Sequence, residues 1–202
     1  MRIGLVGPAD GNSALLREAA EFLLGDCGVD QAVYLGSEQT LLRVVESWAA
    51  QVVQGVASEA RFLEEALELA LQPEAAPLEA LLARDRELRR LYALRALPAP
   101  PARVIELVDD KIVLLVHDKA MLDSEDIANA FLIVYGRSKQ SALHRFGPRT
   151  FFTPGPLALG RVALIEREEG GHLAVAQFDP RTGQPHGRDV LQVRRARVVV
   201  TP

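Results

Sequence analysis

Short apolar runs that stop at a glycine alternate with helical periodicity through the first quarter of the chain. Residues 2–7 are such a run, Arg2-Ile3-Gly4-Leu5-Val6-Gly7, and predict a strand buried on both faces. Asn12 or Ser13 caps a helix that reaches about Leu24, with Leu15, Leu16, Ala19, Phe22 and Leu23 on one side. Gln31 to Leu35 predicts a second strand. Ser37 caps a second helix with Leu41, Leu42, Val45 and Trp48 facing inward, and Gln51 to Gln54 predicts a third strand. A β-α-β-α-β start implies a parallel sheet with helices on its faces.

Residues 58–96 have helical period and high charge, with a break at Gln72-Pro73 and Pro77 near the next start. Leu78, Leu81, Leu82 and Leu88 make one buried stripe, which Leu91 and Leu94 broaden in steps of three. Pro98-Ala99-Pro100-Pro101 is a rigid stop joining the two halves within one domain, 1–202. Beyond it the texture is strand and turn. Arg103–Leu107 and Ile112–Val116 flank the Asp109-Asp110 turn, and a short helix near Asp123–Ala130 leads to the apolar run Phe131–Tyr135. Further strands are predicted at Ala142–Phe146, Arg149–Phe152, Arg161–Arg167, His172–Phe178 and Asp189–Val200.

Composition narrows the function. In 202 residues, 49% are hydrophobic and the net charge is −4, which suits one substantial core and disfavours nucleic acid or an anionic membrane as partner. The Arg194-Arg195-Ala196-Arg197 cluster is expected on the solvated face of an edge strand. One cysteine, Cys27, allows neither an internal disulfide nor a multi-thiolate zinc site. Strand pattern begins at Met1, so no leader is expected, and no apolar run nears the ~20 residues of a membrane span. The expected compartment is the cytoplasm.

Chemistry-bearing loops should follow the buried strands. They are Gly7-Pro8-Ala9-Asp10-Gly11-Asn12, Gly36-Ser37, Gly55-Val56, His117-Asp118, Gly136-Arg137-Ser138-Lys139 and Thr153-Pro154-Gly155-Pro156. Their order and spacing resemble the calcineurin-like metallophosphoesterases, which carry D-x-H-G-N, G-D, G-N-H-D, a His-Gly pair, G-H-T-H and N-P-G-S. The resemblance spans about residues 1–178 and implies a four-layer αββα sandwich of two mixed sheets flanked by helices. In the family a dinuclear metal centre clamps phosphate and sharpens a hydroxide. Here the first Asp and His of D-x-H-G-N fall on Pro8 and Asp10, and the bridging Asp of G-D on Ser37. The Asn and catalytic His of G-N-H-D fall on Val56 and Ala57, and the two His of G-H-T-H on Arg137 and Lys139. Only one later His ligand is retained, as His117.

Proline and valine offer no metal-binding side chain, and Arg and Lys repel a cation, so no metal or other cofactor and no catalytic residue is expected. For His117 two readings stand: a satisfied, partly buried histidine, favoured because its co-ligands are gone, or a remnant ligand. His144, His172 and His186 are expected on the surface. Arg137 and Lys139 are either ordinary loop charges, partners that neutralise Asp10, or a small-anion site.

The leading functional expectation is a catalytically silent scaffold or adaptor that binds another protein. In size and topology the chain is similar to the metallophosphoesterase-like subunit of the eukaryotic retromer coat, a branch of the family that docks to proteins. The alternatives are a metal-free phosphate- or nucleotide-binding domain and, ranked last, a residual phosphoesterase on Asp10 and His117.

Overall fold

Ile3 and Leu5 point to one side of the first strand and Gly4 and Val6 to the other. All four are buried, so this strand must carry a packed layer on each face. The computed structural model describes residues 1–53 and 59–192. The expected Gly55-Val56-Ala57 loop, the Arg194–Arg197 cluster and the end of the last expected strand lie outside the described residues.

The first strand is β1 (Ile3–Val6), followed by α1 (Ser13–Leu24) and β2 (Gln31–Tyr34), which runs parallel to β1. The Asn12 side chain caps α1 by accepting the Leu15 N–H at 3.1 Å. The second helix, α2 (Thr40–Val53), takes in Gln51 to Val53, where a strand was expected to begin. The reason is periodicity. Leu41, Val44 and Trp48 are buried with Val52 packed against the same cluster, and spacings of three and four hold the chain in helix. Leu42 lies on the opposite side and is exposed, contrary to its expected inward placement.

Residues 58–96 are not helical throughout. They form α3 (Glu59–Ala70), α4 (Ala76–Leu91) and a strand, β3 (Leu94–Ala96), parallel to β2. Leu94 packs with the helix-side cluster and Leu97 with the cluster between the sheets, an alternation that an extended chain supplies. This strand takes the place beside β2 that a third strand from Gln51 was expected to fill.

The second half contains β4 (Val104–Val108), β5 (Lys111–Val116), α5 (Ser124–Asn129), β6 (Leu132–Tyr135), β7 (Ala142–Phe146), β8 (Arg149–Thr153), β9 (Val162–Arg167), β10 (Leu173–Phe178) and β11 (Pro185–Leu191). One sheet has the order β11-β10-β9-β1-β2-β3 and the other β4-β5-β6-β8-β7. Both are mixed, with β1, β2 and β3 parallel in the first and β5, β6 and β8 parallel in the second. The half beyond Pro101 supplies every strand of the second sheet. The last three strands of that half return to the first sheet, where β9 pairs antiparallel with β1.

Between the sheets, Ile3, Leu5, Val33 and Leu35 meet Val113, Leu115, Leu132, Val134 and Phe152. Helices α1 and α2 cover the outer face of the first sheet through Leu16, Ala19, Leu23, Val44 and Trp48. Ile127 of α5 packs on the outer face of the second with Leu114, Val116, Ile133 and Tyr135. The architecture is a four-layer αββα sandwich. Phe152 is 0% exposed within it and Leu63 of α3 is 54% exposed. Phe152→Ala is therefore expected to cost about 3–5 kcal/mol and Leu63→Ala within about 0.5 kcal/mol of nothing, measured by urea unfolding. Equal costs would contradict this assignment of the core.

Candidate functional site

The loops after β1, β2, β5, β6 and β8 meet at one end of the sandwich, and the Leu35 carbonyl is where three of them cross. Leu35 N–H donates to Val6 O at 2.8 Å, which fixes its carbonyl just beyond the paired part of β2. His117, at the end of β5, places Nδ1 3.1 Å from Leu35 O and Nε2 3.0 Å from Pro98 O. Gly136, at the end of β6, lies so close that an added Cβ would overlap the same Leu35 oxygen. Its N–H and that of Arg137 donate to His117 O, at 3.1 and 2.7 Å. Glycine is required there for approach.

A second crossing ties the first loop to the last. Leu157 N–H donates to Pro8 O at 2.8 Å, and Gly7 and Gly155 touch so closely that neither backbone has room for a Cβ on Gly7. The first loop is also held from β2. Glu38 Oε1 accepts the N–H groups of Ala9 and Asp10, both at 3.2 Å, and the buried Tyr34 hydroxyl donates to that same carboxylate oxygen. The Ala9 N–H lies 2.9 Å from Tyr34 Oη as well.

Pro8 contributes its carbonyl to the Leu157 contact. Asp10 is exposed at φ +50°, and among the described residues its backbone rather than its carboxylate is engaged. Ser37 and Lys139 are exposed. Val56 and Ala57 lie outside the described residues. The ion pair expected between Asp10 and Arg137 or Lys139 is not formed. Arg137 Nη1 instead pairs with Asp118 Oδ2 at 3.1 Å, because β5 and β6 are neighbours in one sheet and bring those two loops side by side. The Arg137 side chain is 83% exposed and Asp118 16%, so solvent screens the pair. Asp118 also caps the short turn after it by accepting the Ala120 N–H at 3.0 Å.

Tyr34, Glu38 and Asp118 share the polar contacts of this end with His117, and sequence reasoning missed Tyr34 and Glu38. The available signal was a tyrosine closing an otherwise buried strand, with a carboxylate four residues on, at Tyr34 and Glu38. The surrounding residues do not fit a dinuclear metal centre. His117 is buried with its two ring nitrogens beside the Leu35 and Pro98 carbonyl oxygens, and the neutral ring donates to one of them. Among the described residues, no group of three or more His, Cys, Asp or Glu side chains is arranged to hold a metal ion.

Comparison with solved structures shows the same architecture. Vacuolar protein sorting 29 from Cryptosporidium parvum superposes with a TM-score of 0.53 at 13% identity, covering 94% of this chain and 95% of its own. A Vps29 mutant from Entamoeba histolytica gives 0.52 at 12% identity, covering 95% of this chain and 100% of its own. A conserved Streptococcus pneumoniae protein described as a predicted phosphoesterase gives 0.50 at 12% identity, covering 94% and 97%. The fold is the metallophosphoesterase fold. At these identities the likeness concerns the fold alone, and no family model and no curated protein matches the sequence.

Within this metallophosphoesterase frame, Glu38 is the carboxylate most deeply engaged by the first loop. Burial pushes its carboxyl up, but hydrogen bonds from Tyr34 and from the N–H groups of Glu38, Ala9 and Asp10 outweigh this and hold it below the ordinary glutamate range. Burial, and then the bond to Glu38, push the Tyr34 hydroxyl well up. A lowered folded-state pKa stabilises the fold above the unfolded value near 4.5, and that stabilisation is lost as pH falls through the folded value. Glu38→Gln should therefore melt below wild type at pH 7, with the gap closing below about pH 4.5. A gap that stays constant from pH 7 to pH 3 would show that Glu38 contributes no charge-dependent stability.

Proposed function

We propose that this chain is a catalytically inactive metallophosphoesterase-like protein that serves, as one domain over 1–202 in the cytoplasm, as an interaction scaffold or adaptor for another protein. The observation that carries the proposal is the fate of the polar groups at the strand ends. His117 and Glu38 are spent on holding loops to one another, through the contacts to Leu35, Pro98, Ala9 and Asp10. The degenerate site then comprises Pro8, Asp10, Ser37, Val56, Ala57, His117, Arg137 and Lys139, with no metal and no cofactor. Fold likeness to two vacuolar protein sorting 29 structures supports the scaffold role. No helix among the described residues is long and apolar enough to cross a membrane.

Phosphate or nucleotide binding at Arg137 and Lys139 is the lesser reading, since Asp118 already engages the Arg137 guanidinium. The test is turnover of aryl phosphate mono- and diesters in excess manganese, with none expected above buffer. Turnover that disappears in His117→Ala and Asp10→Ala would overturn the inactive assignment. A thermal shift with phosphate or nucleotide that Arg137→Ala abolishes would instead promote the anion site.

A further inference from the structure

We propose that the outward face of α3 docks a basic amphipathic helix of a partner protein. This rests on the scaffold reading and names the chemistry of the partner. Helix α3, Glu-Ala-Arg-Phe-Leu-Glu-Glu-Ala-Leu-Glu-Leu-Ala, has apolar residues on two faces roughly 110° apart at 3.6 residues per turn. Phe62, Ala66 and Leu69 are half-buried on the side of α4, where Glu65 pairs with Arg84 at 2.8 Å. On the other face Leu63 and Leu67, with Leu71 in the turn just past the helix end, follow at steps of four and are 54%, 69% and 89% exposed. A helix apolar on two faces suits a neighbour on each, and α4 is the one present.

The charge around the outward leucines identifies the second neighbour. Glu64 and Glu68 line one edge of the Leu63 and Leu67 stripe, and α3 holds four glutamates against one arginine, Arg61. Among the described residues only Glu65 of these glutamates makes an ion pair, and it faces α4. A line of leucines with an acidic rim complements a line of apolar anchors with a Lys/Arg rim. A second copy docking α3 on α3 would set acidic rim against acidic rim, and an anionic lipid surface would be repelled in the same way. From Leu63 to Leu71 the stripe spans about 12 Å at about 1.5 Å per residue, so the partner helix contributes two or three anchors over two turns.

The test uses the intact protein and a fluorescent synthetic peptide of about 18 Leu and Lys residues, with leucines at helical spacing. A second peptide has the same composition in scrambled order. Fluorescence anisotropy should show saturable one-to-one binding of the amphipathic peptide alone. Leu67→Glu, and separately Glu64→Lys with Glu68→Lys, should weaken it at least tenfold while the melting temperature holds, since these side chains are exposed. Equal binding of both peptides, no binding, or binding indifferent to Leu67→Glu would overturn the proposal. So would sedimentation showing a wild-type dimer that Leu67→Glu dissolves, because the occupant would then be a second copy. Loss of peptide binding without phosphoesterase turnover sinks only this face, whereas turnover sinks the scaffold reading whatever the peptide does.

Discussion

The convergence on the Leu35 carbonyl sets the geometry of the whole loop end. One oxygen from the first sheet meets an imidazole and a glycine from the second, and the backbone N–H groups of Gly136 and Arg137 close the loop back onto His117. Buried polar groups need partners, and here each sheet supplies partners for the other. His117 also reaches Pro98 O, so the link between β3 and β4 is fastened at the same place. The imidazole lies between two carbonyl oxygens and in its neutral form donates to one of them.

The same constraint separates fold from chemistry. A strand-end loop can hold its shape through glycine contacts and backbone hydrogen bonds while its side chains change, because those contacts are made by main-chain atoms. Gly7, Gly136 and Gly155 make contacts of this kind, and Pro8 takes part through its carbonyl. Thus the loop geometry is built here with proline, arginine and lysine among the loop residues.

Much of the fold was legible in the chain, and the failures have definite causes. The strands at Ile3, Gln31, Ile112, Phe131 and Ala142 were visible because buried strands in a sandwich are short, continuous and bounded by turn residues. The stretch from Gln51 was misread because Val52 and Val53 carry strand propensity, while the spacing from Leu41 through Trp48 to Val52 carries the helix. Leu94 was misread in the opposite sense, since a three-residue strand after a helix of sixteen residues leaves too short a pattern to register. At the site, the loops at Gly7, Gly36, Gly136 and Gly155 do follow strands, while the one at Gly55 lies outside the described residues. The partners within the loops were not legible, because Asp118 beside Arg137 and Glu38 beside Ala9 depend on which strands become neighbours.

Strand β1 lies between β2 and β9 in the middle of its sheet, joining the start of the chain to a segment some 160 residues later. During synthesis Ile3 and Leu5 therefore have no complete layer to enter until β9 has left the ribosome, although both end at 0% exposure. Pairing over so long a separation is entropically slow, and a nascent chain with an unpaired, aliphatic central strand is a natural client for chaperones that mask apolar segments. The order of strands that makes the finished sheet secure also makes the unfinished one vulnerable.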